Sequence, residues 1–120
     1  MKVTPNQMFY WNGNEIIYLP PRYTIDSNGN AICTHTFNLE NAFDEVTSVD
    51  SYGLNYAFIN CTGITGSVSF PKLTSVGTYG LSNAFYGCTG ITELHFRADM
   101  QSTIGSNKYG ATNATVYFDL

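Results

Sequence analysis

At 120 residues the chain suits one hydrophobic core, and its 29 Leu, Ile, Val and Phe residues with a net charge of −4 argue against disorder. Five scattered basic residues and a pI near 4.8 speak against a nucleic-acid partner, because phosphate binding needs clustered Lys and Arg. The longest apolar runs are a few residues only, which predicts no membrane insertion.

Gly, Ser, Thr and Asn supply 46 residues, whereas charged residues make up 12%. Such a balance of turn formers with β-branched and aromatic residues predicts a β-rich fold. The N-terminus, Met1-Lys2-Val3-Thr4-Pro5, carries no apolar stretch of a secretory leader. Cytoplasmic synthesis is therefore the expectation, for a chain that is retained, trimmed or released by lysis as virion components are.

Residues 1–37 read as an N-terminal cap or docking region of β-hairpins. Met8 to Trp11 and Asn14 to Leu19 flank Asn12-Gly13, a pair suited to a type I′ turn, and Pro20-Pro21 ends the second strand. Tyr23-Thr24-Ile25 and Ala31-Ile32-Cys33 flank Asp26 to Asn30 as a second hairpin. Such a meander would cover an exposed sheet edge, and Trp11 is assigned to packing within it. Asp26, Asn28 and Asn30 resemble the start of a calcium loop, but Ala31 and Phe37 stand where Gly and Glu are needed, so a tight turn is expected.

Residues 38–120 carry an internal repeat. The twenty residues from Val46 match the twenty from Leu73 at thirteen positions, with an offset of 27. Phe58 maps onto Phe85, Cys61 onto Cys88, and Ile64 onto Ile91. Beyond Ile91 the second copy is one residue shorter, pairing Val68 with Leu94 and Phe70 with Phe96. Cys33 and Phe43 suggest a degenerate earlier copy, and Val116 to Phe118 a closing strand. Each copy holds a short alternating strand that cannot bury its own apolar face, so stacking of copies into a solenoid is predicted. Phe58, Cys61, Ile64, Phe85, Cys88 and Ile91 form its expected core.

The segments Ala57-Phe58-Ile59-Asn60-Cys61-Thr62-Gly63-Ile64 and Ala84-Phe85-Tyr86-Gly87-Cys88-Thr89-Gly90-Ile91 resemble the BspA-like leucine-rich repeat. Phe70-Pro71 and Leu73 to Val76 fit the same pattern, although the period of 27 is longer than that family's usual repeat. The resemblance covers residues 40 to 97 and, more loosely, extends to 118. It implies a short leucine-rich-repeat solenoid with few short helical turns and a non-enzymatic surface, adhesion or interaction role. Such repeats occur in bacterial surface proteins and in phage structural proteins. A virion part is the first reading, a fragment of a bacterial surface adhesin the second, and a glycan-acting enzyme the third.

Three cysteines, Cys33, Cys61 and Cys88, cannot make a full disulfide framework. They are expected as packed thiols, with an oxidised neighbouring pair as the alternative. No Cys/His cluster has metal-ligand spacing, and no cofactor motif is present. His35 and His95 lie in no nucleophile signature, and Asp44-Glu45 falls at the repeat position of a solvated turn. Residues Asp99 to Ile104 predict a helical turn stopped by Gly105.

Strand alternation points Ser67, Ser69, Glu93, His95, Thr115 and Tyr117 outward in one row, the candidate contact face for a protein or carbohydrate surface. A second copy of the chain is a further candidate partner. Tyr52, Tyr56, Tyr79 and Tyr86 fall between strands, either as contact residues or as lateral packing.

Overall fold

A computed structural model describes residues 2–3, 9–11, 16–18, 23–25, 27–33 and 43–120. The Asn12-Gly13 turn, Pro20-Pro21, Asp26, His35, Phe37 and the side chains of Trp11 and Cys33 lie outside the described residues.

The protein is strand-rich with a single short α-helix among the described residues. Strand β1 (Lys2–Val3) precedes two antiparallel hairpins. In the first, β2 (Phe9–Trp11) pairs with β3 (Ile16–Tyr18), and in the second, β4 (Tyr23–Ile25) pairs with β5 (Ala31–Cys33). The second hairpin has the predicted strands. The first differs in register: Trp11 opposes Ile16, not the Asn14 that a two-residue Asn12-Gly13 turn would set there. That register sets Tyr10 opposite Ile17 and Phe9 opposite Tyr18.

The repeat region builds two parallel sheets. β6 (Ser48–Val49) lies between β1 and β8 (Ser75–Val76), and β9 (Ile91–Phe96) lies between β7 (Gly66–Phe70) and β10 (Thr115–Tyr117). The pairing of Lys2 with Ser48 places the first strand in the sheet of the repeats, apart from the hairpins that follow it. Val68 opposes Leu94 and Phe70 opposes Phe96, the offset of 26 read from the sequence. Ahead of that the ladder is irregular: Gly66 opposes Ile91 and Ser67 opposes Glu93, which leaves Thr92 as the extra residue.

Between its two strands each copy runs as a ribbon of overlapping turns, residues 50–61 and 77–88. Alternate N–H groups close turns onto the residue three back, as in Ala57 to Leu54 and Ala84 to Leu81. The remaining N–H groups bridge the copies: those of Tyr52, Leu54, Tyr56, Phe58 and Asn60 donate to the carbonyls of Thr78, Gly80, Ser82, Ala84 and Tyr86. Tyr52, Tyr56 and Asn60, and then Tyr79 and Asn83, take positive φ between 51° and 61°, a region costly for tyrosine. The bridges between copies hold them there. Gly77 is required by the approach of the ribbons, since a Cβ on it would lie 2.5 Å from the backbone N of Ser51.

The core lies between ribbon and sheets. Phe43, Phe70 and Phe96 stack with centroid spacings of 4.6 and 5.3 Å, and Phe58 stacks on Phe85. Phe58, Cys61, Ile64, Phe85, Cys88 and Ile91 are all buried, as predicted. Each buried Phe contributes roughly 1.5–3 kcal/mol from its apolar area. After β9 a 3-10 turn (Ala98–Met100) leads into α1 (Gln101–Ile104), which Gly105 stops at φ 60° with its N–H on the Gln101 carbonyl.

The expectation that all three cysteines are thiols is corrected. Cys61 is disulfide-bonded and Cys88 is a free thiol, so the alternative of an oxidised pair applies. Burial pushes the Cys88 thiol up to about 11, and its Sγ donates to the Phe58 carbonyl at 2.8 Å.

Candidate functional site

The parallel register of β7, β9 and β10 turns strand alternation into two outward rows. Ser67, Glu93 and Thr115 form one, and Ser69, His95 and Tyr117 form the other, while Val68 and Leu94 point into the core. All six predicted face residues are thus neighbours on one sheet.

The rows are chemically joined. The Ser67 hydroxyl donates to Glu93 Oε2 at 3.0 Å. The Glu93 Oε1 atom lies 3.4 Å from His95 Nε2. On the other side, His95 Nδ1 lies 2.9 and 3.0 Å from the two oxygens of Asp119. An ionised carboxylate only accepts, so Nδ1 is the donor there. The imidazole stacks on Tyr117 at 4.9 Å with the planes 12° apart, and the His95 side chain is 16% exposed. Outward orientation was predicted for His95, but its carboxylate clamp and ring partner make it a packed member of the face.

Asp119 was not singled out from the sequence. It stands two residues beyond Tyr117, so the alternation that selected His95 and Tyr117 also selects Asp119.

Chemically the face offers acceptors, hydroxyls and one stacked aromatic pair. Both ring nitrogens of His95 face carboxylates, and Ser67 is directed at Glu93, so the row contains no hydroxyl-to-imidazole pair of the kind nucleophilic catalysis uses. Among the described residues no group of His, Cys, Asp or Glu is arranged to hold a metal ion, and no helix is long and apolar enough to cross a membrane.

The other singled-out residues lie apart from this cluster. Glu45 pairs with Lys72 at 3.0 Å across adjacent copies on an exposed turn. Beside it the Asp44 carboxyl is raised above its ordinary range by partial burial and by the charge of Glu45. Tyr52 and Tyr79 touch across the copies at 5.4 Å yet remain 50% and 59% exposed, and the Asn83 amide donates to the Tyr56 hydroxyl. These tyrosines are both lateral packing and accessible surface. The Arg97 guanidinium is bidentate on Asp99, which lowers the Asp99 carboxyl and raises the arginine. Comparison with protein-family models, with curated proteins and with solved structures finds no match.

Proposed function

We propose that the chain is a non-enzymatic binding module, a short solenoid of BspA-like leucine-rich repeats, that meets a protein or glycan surface with the outer face of β7, β9 and β10. The observation that carries this reading is the joined row of Ser67, Glu93, His95, Tyr117 and Asp119 on and beside a parallel sheet. Side chains held by one another lose little rotamer entropy on binding, and an accessible aromatic with flanking acceptors suits both sugar rings and polar protein surfaces. The solenoid part of the reading is supported by the offset of 26 to 27 that recurs in strand pairing, ring stacking and the Glu45–Lys72 and Tyr56–Asn83 contacts.

The test is a glycan array and a display-peptide selection against the intact chain, followed by the Tyr117→Ala and His95→Ala variants. Each variant should weaken a selected ligand by about tenfold, or about 1.4 kcal/mol, with the melting transition still cooperative. A ligand whose affinity neither variant changes would remove this face from consideration.

A further inference from the structure

The five bridging N–H groups of the first ribbon have equivalents in the second: Tyr79, Leu81, Asn83, Phe85 and Gly87. Among the described residues only the Phe85 N–H finds an acceptor, the Tyr109 carbonyl at 2.9 Å. The chain does not supply a third ribbon here, because residues 98–104 are spent on the 3-10 turn and α1. The N–H groups of Tyr79, Leu81 and Asn83 meet no acceptor among the described residues, although Leu81 itself is buried. A backbone donor at a buried position is destabilising without a partner, so water or a ligand is expected to take it.

An open groove of about 310 Å³ lies at this place. Tyr79, Leu81 and Ser82 form one wall, and Thr103, Asn107 and Tyr109 form the other. We propose that the groove binds a short segment of a partner protein through its main chain, alternate carbonyls of the segment accepting from Tyr79, Leu81 and Asn83.

The first copy displays what such an occupant looks like. Its own donor row is filled by residues 78–86, running parallel to it, with acceptors on every second residue. A polypeptide repeats carbonyls at that spacing. The donor row continues into the Phe85–Tyr109 bond, so the occupant runs parallel to residues 79–83 and ends against Tyr109.

Contacts in the filled row also set side-chain preferences. Gly77 leaves no room for a Cβ against the backbone of Ser51 and Asp50, Gly80 is crowded by Val76 and Gly77 of its own turn and by the Asp50 carbonyl at 3.1 Å, and Tyr79 rests on Tyr52. By equivalence the occupant carries Gly-x-aromatic-Gly, its aromatic ring on the exposed ring of Tyr79. A folded second copy does not offer this segment, since its residues 78–86 are engaged with its own first ribbon. A segment of a different protein that takes the same ribbon of turns therefore fits. The proposal shares no residue with the strand face and stands or falls apart from it.

The probe is a blocked synthetic peptide with the sequence of residues 76–83, titrated into the intact isotope-labelled chain. In the free protein, the amides of Tyr79, Leu81 and Asn83 should exchange at least about tenfold faster than that of Phe85. Saturating peptide should slow them by a similar factor, with the His95 and Tyr117 signals unchanged. Thr103→Trp, which fills the groove, should abolish the effect, whereas Gln101→Trp on the same helix should preserve it. The same peptide carrying Gly80→Val should not bind. Three results would each overturn the proposal: no saturable change up to about 1 mM peptide, equal protection of all four amides in the free chain, or protection that appears with protein concentration alone and so assigns the row to a second copy.

Discussion

Phe58 and Phe85 stack with ring centroids 5.7 Å apart and planes 8° from parallel. They occupy the same place in two near-identical segments, so one contact links sequence repetition to burial. Truncating either ring leaves a cavity that the flanking copy cannot fill. Phe85→Ala should cost about 3–5 kcal/mol in urea unfolding. The double variant with Phe58→Ala should cost less than the two single losses combined, by roughly 0.5–1.5 kcal/mol, because the rings stabilise each other. Simple additivity would mean that they do not touch.

Oxidation state is directly countable. Thiol titration of the unfolded chain without reductant should find one free group, Cys88, since Cys61 is in a disulfide. Three reactive groups would contradict this arrangement. In the folded chain, Cys88 should resist alkylating reagents at neutral pH, being buried and far from its thiolate form.

Alkaline stability follows from the same thiol. Folding raises Cys88 from 9.0 to about 11, so the folded state prefers the neutral form. The associated stabilisation is complete below pH 9 and is lost as pH climbs towards 11. Tyr109, pushed up to about 12 by burial, acts in the same direction at higher pH. Urea midpoints should therefore fall above pH 9, and Cys88→Ala should make the fall shallower. Parallel curves for the two proteins would refute the assignment.

Close approach of the ribbons is tested at Gly77. Adding a methyl group there meets the Ser51 backbone, which has no side-chain freedom to yield. Gly77→Ala should destabilise the chain by more than about 1 kcal/mol. The same change at Gly63, where a Cβ has open space, should fall within about 0.5 kcal/mol of the wild type.

Much of this organisation was legible in the sequence. Alternation in residues 66–70 and 91–96 gave both strands, their offset and the outward row, because one buried face fixes register. Gly105 stopped the helical turn as read. The ribbons were not legible, since turns closing every second residue have neither the period of a helix nor that of a strand. Their trace was the four-residue spacing of Tyr56 and Asn60, and of Asn83 and Gly87, where Asn and Gly tolerate positive φ but tyrosine conceals it. Lys2–Val3 was missed because two residues show no alternation. The first hairpin departs from the register that a two-residue Asn-Gly turn would set, with Trp11 opposite Ile16.

The central claim is that the two matching segments lie side by side as successive layers with a shared core. A nuclear Overhauser map of the intact chain tests it most directly. Cross-peaks are predicted between the rings of Phe58 and Phe85, between Phe70 and Phe96, and between the backbones of Ser69 and His95. Assigned rings with none of these contacts, and with Phe58 instead near residues of its own copy alone, would contradict the account.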